Sequence, residues 1–182
     1  MKNRKWLDFL ALLLISMFVV SASAVIYYAM LAQSTTTITA STVYFTAGGD
    51  SSGILTLGTN NTYASLSLNA YPNVTLYYDQ AVNLSATAAK QVRLRHVSIS
   101  PGDGDQSVSN FTSIVFRLIR ANGSEAGSLT YTTTGDNWNE PTETSYVSIG
   151  AGEEWTIKVE IKAVAGANTG VSTTVVIAID VS

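Results

Sequence analysis

The side chains that could do chemistry are few and widely spaced. The chain of 182 residues has one histidine, His96, and no cysteine. Thiol nucleophiles, thiolate metal sites and disulfides are therefore excluded. Serine and threonine are abundant, but His96 lies in the alternating run Val92-Arg93-Leu94-Arg95-His96-Val97 and reads as a sheet residue. It has no evident nucleophile–base partnership. Asp103-Gly104-Asp105 has the alternating oxygens of a calcium loop without the spaced set and closing glutamate of an EF-hand. A solvated turn is the default there, and Asp103 and Asp105 stand only as weak metal candidates. Asp136, Glu140 and Glu143 make a second acidic loop, while Glu153 and Glu154 flank a strand-like run. Two carboxylates at glycosidase separation could be drawn from these loops, but nothing singles out a pair. Trp138, with Tyr131 and Tyr146 near it in sequence, offers a sugar platform, an interface anchor or a core plug. The expectation is a protein that is not an enzyme and carries no cofactor.

One other chemistry is written repeatedly. Asn60, Asn73, Asn83, Asn110 and Asn122 each open an N-x-[ST] sequon. With so much serine and threonine, some arise by chance, and five is a mild excess. Asn60 and Asn122 fall in predicted turns, where a glycan fits. Asn83 falls inside a predicted strand and is the weakest of the set.

The elements that must position these residues read as strands. From Thr36 onward apolar residues alternate, or come in short bursts bounded by Gly, Asn, Pro and Asp. Ala64, Leu66 and Leu68 share one face. Ile114, Phe116 and Leu118 share another. Trp155, Ile157, Val159 and Ile161 point inward against Lys158, Glu160 and Lys162, and Val175, Ile177, Ile179 and Val181 line the last strand. Residues 74–86 form a long strand with Leu76, Tyr78, Val82 and Leu84 as core candidates and a bend near Asp79. Residues 101–109 and 135–144 read as loops, and Asn122-Gly123 as a hairpin turn. Nine or ten strands with no amphipathic helix predict an all-β fold, a single antiparallel β-sandwich or jelly roll.

Ahead of the domain, Lys2, Arg4 and Lys5 precede an apolar run from Trp6 to Ala32 with one charge, Asp8. The run is an N-terminal hydrophobic helix with three readings. It is a secretory signal cut after Ala24 in the pattern Ala22-Ser23-Ala24, leaving Val25 first. It is an uncleaved transmembrane helix, since a bilayer core needs roughly 20 residues and the basic leader sets the N-terminus inside. Or it is a type IV pilin leader, although Lys5 is followed by Trp6 rather than a small residue. Each reading puts the rest of the chain outside the cytoplasm. The sequence thus divides into residues 1–32, a basic leader with signal or membrane segment; 33–45, a Thr-rich extended segment; and 46–182, a β-sandwich ectodomain. Beyond residue 32 there are seven basic and twelve acidic residues, a balance that argues against nucleic acid as a partner.

Several stretches resemble the surface-filament subunits of thermophilic archaea, the thread and bundling-pilus proteins, and more distantly bacterial TasA-type fibres. They are the leader MKNRKW running into VIYYAM, then TVYFTAGGDSSG, YPNVTLYYDQAVNLSA, and IGAGEEWTIKVEIKAVAG. The resemblance implies a sandwich that polymerises by donor-strand complementation, in which one subunit's N-terminal segment fills a gap in its neighbour's sheet. Thr35, Thr37, Ile38, Thr39, Val43 and Phe45 would then be donor-strand residues. The implied function is a structural subunit of an extracellular filament that self-associates into a homopolymer. The alternative is a membrane-anchored surface β-domain for adhesion to a partner or a carbohydrate.

Overall fold

A computed structural model describes residues 41–182. The expectations for the apolar run and for Thr35, Thr37, Ile38 and Thr39 lie outside the described residues. Among the described residues no helix is long and apolar enough to cross a membrane.

Among the described residues the period-two writing becomes eleven strands. They are β1 (Val43–Ala47), β2 (Leu55–Leu57), β3 (Tyr63–Asn69), β4 (Thr75–Ala86), β5 (Lys90–Ser100), β6 (Phe111–Ile119), β7 (Glu125–Thr134), β8 (Asn137–Asn139), β9 (Val147–Ile149), β10 (Glu154–Ala163) and β11 (Ser172–Val181). All three prolines, Pro72, Pro101 and Pro141, fall between strands, where a missing N–H breaks no ladder. The β6–β7 hairpin closes at Asn122-Gly123, where Gly123 takes φ 84° and Arg120 N–H donates to Ser124 O at 2.9 Å.

Every pairing is antiparallel, in two sheets ordered β1-β4-β10-β6-β7-β8 and β2-β3-β11-β5-β9. The penultimate strand β10 lies between β4 and β6, and the last strand β11 between β3 and β5. Stripped of β1, β2 and β8, the sheets read β4-β10-β6-β7 and β3-β11-β5-β9, which is the jelly-roll arrangement. The expected all-β sandwich is therefore the fold. Its core lies between the sheets, with Trp155, Tyr131, Phe45, Phe111, Phe116, Leu66, Leu84, Leu94 and Leu118 fully buried.

Two irregularities steer side chains. In β4, Val82 faces Ile157 and Tyr78 faces Val159, so Asp79, Gln80 and Ala81 stand opposite Lys158 alone. This bulge is the expected bend near Asp79. In β5, Ser98 faces Val176 and His96 faces Ile177, which leaves Val97 unpaired and turned to solvent.

One local expectation is corrected. Residues 135–144 are not all loop, because β8 lies within them and pairs with Thr132–Thr134. Val181 is 38% exposed, at the last rung of the ladder, where it faces Val92. Val43 and Phe45, both fully buried, belong to the chain's own edge strand β1, facing Ala86 and Leu84.

Candidate functional site

The longest strand, β4, is only half covered on its outer edge. Its inner edge pairs with β10 from Thr75 to Ser85. On the outer side β1 pairs with Val82–Ala86 and stops. The chain then turns at Gly48. Asp50 N–H donates to Gln80 O at 3.0 Å, and the Asp50 carboxylate accepts from Gln80 N–H at 3.0 Å. The approach is too close for a larger residue, since a Cβ on Gly48 would lie 2.0 Å from Gln80 O. Beyond this point no strand among the described residues pairs with the outer edge of Thr75–Asp79. Alternate N–H and C=O groups of that stretch point away from β10, available to an incoming chain.

The side chains repeat the pattern. Leu76 and Tyr78 face the core opposite Ile161 and Val159, which are each 1% exposed. Yet both remain only partly buried, because each lacks a neighbour on the open side. Tyr77 points out and is 62% exposed; Tyr71 and Val74, just ahead of β4, are also exposed. Tyr71 sits close enough to raise the Tyr78 hydroxyl above its ordinary pKa, after partial burial as the main cause. Asp79 is the one charged residue on the stretch and is paired with Lys158 Nζ at 2.9 Å. The site is thus an unpaired backbone edge about five residues long, with two incompletely covered side chains, Leu76 and Tyr78, behind it and an aromatic fringe.

On the opposite side of the sandwich the outer edge of β5 is covered. Between β8 and β9 the chain straps across from one sheet to the other. Thr142 O accepts from His96 N–H at 2.9 Å, and Thr144 N–H donates to Leu94 O at 2.8 Å. Buried Thr144 also accepts from Leu94 N–H through its hydroxyl at 3.0 Å. β9 continues the cover over Lys90–Val92. Glu143 pairs with Arg93, and the Arg93 guanidinium lies 4.6 Å from the centre of the Tyr146 ring.

His96 serves this cover. Its Nδ1 meets the Tyr131 hydroxyl at 2.9 Å, and its Nε2 lies 3.3 Å from Glu140. Both ring nitrogens are engaged, and neither contacts a serine or threonine hydroxyl. Burial pushes the Tyr131 phenol well above its ordinary pKa, with Glu140 adding to the shift, so Tyr131 is a neutral hydroxyl bound to an imidazole.

The remaining candidate residues are used locally. Asp103 accepts from Trp138 N–H at 2.7 Å. Asp105 accepts from the N–H of Ser107 at 2.8 Å and from its hydroxyl, and these bonds hold its pKa below the usual range. Among the described residues no three His, Asp or Glu side chains come together as a metal-holding group. Trp138 is a core plug. It is 5% exposed, packs on Phe111 at 5.5 Å and donates Nε1–H to Pro101 O at 3.0 Å. Of the five sequon asparagines, Asn60, Asn73 and Asn122 are exposed, Asn83 is half-buried and Asn110 is buried.

Sequence reasoning missed the open edge altogether. Its one local signal is that Val74-Thr75-Leu76-Tyr77-Tyr78 places apolar or aromatic residues on both faces of the strand.

No family model matches the chain, and no curated protein matches it. Among solved structures, the P-domain of the Macrobrachium rosenbergii nodavirus is similar, with 12% identity over 65% of this chain and 90% of that one, at a TM-score of 0.36.

Proposed function

We propose that the chain is a structural subunit of an extracellular filament, in which the Thr-rich segment of one copy, residues 33–40, adds as a strand to the Thr75–Asp79 edge of the next. The observation that carries this reading is the unpaired half of β4, with Leu76 and Tyr78 incompletely covered behind it. An added strand supplies hydrogen-bond partners to the edge and apolar cover to Leu76 and Tyr78. The Thr-rich, β-branched sequence of residues 33–40 suits an extended strand.

Geometry favours a neighbour as donor. β1 begins at Val43 opposite Ala86 and runs toward Val82, so the chain enters at the far end of β4 from the gap. Ala86 and Asp79 are roughly 23 Å apart along an extended strand. The chain's own residues 33–40 would have to double back over that distance. The same segment from a second copy need not. A contact between two different surfaces of identical subunits does not close on itself and grows as a filament. Val43 and Phe45 hold the subunit's own core in this reading, and Thr35, Thr37, Ile38 and Thr39 are the donors. Export through the cytoplasmic membrane, with or without cleavage after Ala24, brings the subunits to the cell surface.

Light scattering and electron microscopy of the full-length chain test the proposal. Wild type is expected to form filaments, and Tyr77→Pro, which removes an edge N–H, and Ile38→Asp to stay monomeric while keeping the wild-type circular dichroism. Filaments of undiminished length from both variants would sink it.

A second reading rests on the outer face of the five-stranded sheet. Tyr63, Arg95, Val97 and Val176 line a shallow groove there, which suits an anchored surface domain that binds a saccharide or a partner. Loss of adhesion by Tyr63→Ala in a chain that never polymerises would favour it.

A further inference from the structure

We propose that Asn60, Asn73 and Asn122 carry N-linked saccharides and that Asn83 and Asn110 stay bare. This rests on the exported location assigned above. The five sequons are alike in sequence, and the fold separates them.

Asn60, Asn73 and Asn122 stand in exposed turns between strands. Asn60 and Asn73 take φ 61° and 58°, left-handed values that asparagine tolerates. At Asn122 the sequon is folded on itself. Asn122 Oδ1 accepts from Ser124 N–H at 3.0 Å and from the Ser124 hydroxyl at 2.7 Å. The hydroxyl that defines the sequon thus polarises the amide, and Nδ2 is left facing solvent.

Asn110 is the opposite case. It is 6% exposed. Its Nδ2 donates to Ser107 O at 3.0 Å, and its Oδ1 accepts from Asn168 N–H at 2.7 Å. A transferase acting on the folded chain cannot reach Nδ2. A saccharide added before folding would have to be buried where those bonds form, and the residue 164–168 turn could not close over it. Asn83 lies in β4 between Thr46 of β1 and Thr156 of β10. Its Nδ2 donates to Glu154 at 3.0 Å, and the Ser85 hydroxyl donates to the same carboxylate at 3.1 Å. The sequon hydroxyl therefore serves Glu154 rather than the asparagine amide, in extended backbone paired on both sides.

The reaction requires a saccharide linked through phosphate to a lipid carrier, supplied by the exporting cell. A bond forms between Nδ2 and the anomeric carbon as the bond from that carbon to the phosphate oxygen breaks. The lipid phosphate leaves with the electron pair, and one amide proton passes to a base.

The test expresses the full chain in an exporting, N-glycosylating host. Protease shaving of intact cells reads location. Intact mass and peptide mass spectrometry read occupancy, in wild type and in single Asn→Gln variants. Exported wild type is expected to carry three saccharides. N60Q, N73Q and N122Q should each lose one, and N83Q none. Asn110 is read as an unmodified peptide in wild type, so a misfolded N110Q would not obscure it. A saccharide on Asn83 or Asn110 of folded, exported chain, or a bare Asn60, Asn73 or Asn122, overturns the assignment while leaving the exported location standing. A bare chain that shaving cannot reach overturns the exported location and the assignment with it.

Discussion

The outer edges of β4 and β5, on opposite flanks of the sandwich, are treated in opposite ways. On the β5 flank the outer edge is covered from Lys90 to His96 by β9 and by the strap through Thr142 and Thr144. A buried hydroxyl, an imidazole with both nitrogens engaged and an arginine–carboxylate pair lock that cover down. On the β4 flank the cover ends at Gln80, and the next five residues carry no proline and one neutralised charge. Exposed edges are commonly guarded by charge, proline or bulges that turn them away. Here the bulge reaches the open stretch only at its end, Asp79, and the stretch itself is lined with Leu76, Tyr77 and Tyr78. The difference teaches that specific polar bonds close the β5 edge, whereas no such bonds cover Thr75–Asp79 among the described residues. An edge left bare with Leu76 and Tyr78 incompletely covered behind it can accept a further strand.

The comparison can be broken most severely at Phe45. If β1 is the subunit's own strand, Phe45→Ala should destabilise the monomer by about 3–5 kcal/mol, measured by urea unfolding of unassembled protein. A monomer indifferent to that change would make β1 a borrowed strand and leave the outer edge of β4 open along its whole length. Next in size is Thr144→Val, which keeps shape but leaves buried Leu94 N–H without its hydroxyl acceptor. The expected cost is about 1–3 kcal/mol, with faster hydrogen exchange confined to Leu94 and His96.

Tyr131→Phe should cost about 1 kcal/mol near neutral pH by removing the bond to His96. It also tests a pH dependence. Tyr131 has its folded pKa raised above the ordinary tyrosine value by burial. Its contribution is therefore complete below about pH 10, the unfolded value, and declines as pH rises beyond it. Wild type should lose stability more steeply than Tyr131→Phe in alkaline titrations above that pH. The smallest effect on stability is expected at Tyr77→Lys, within about 0.5 kcal/mol, since the side chain is already in solvent. Its effect on assembly should be far larger, and that dissociation of the two readouts sharpens the contrast between the flanks.

Most of the core was legible because alternation is a local property. Ala64, Leu66 and Leu68, and likewise Trp155 to Ile161, announce both strand and buried face. β8 was not, because three residues between Gly135-Asp136 and Pro141 show no period. The burial of Trp138 depends on Phe111 and on Pro101, far off in the chain. Asn110 escaped for the same reason, since its captor is Asn168. The open edge could not be read at all. It exists because β1 is five residues long against twelve in β4, and partner length is not written within β4.

The absence of cysteine makes one measurement direct. Full-length chains carrying Tyr77→Cys are co-assembled with chains carrying Thr37→Cys, Ile38→Cys or Thr39→Cys and oxidised. Side chains directly opposite on paired strands lie roughly 4.5–5.5 Å apart at Cβ, close to disulfide range. Donor pairing predicts a covalent heterodimer, strongest at one of the three positions or at alternate ones and absent when either variant is oxidised alone. Filaments that form from the mixed chains yet yield no crosslink at any of the three positions would contradict it.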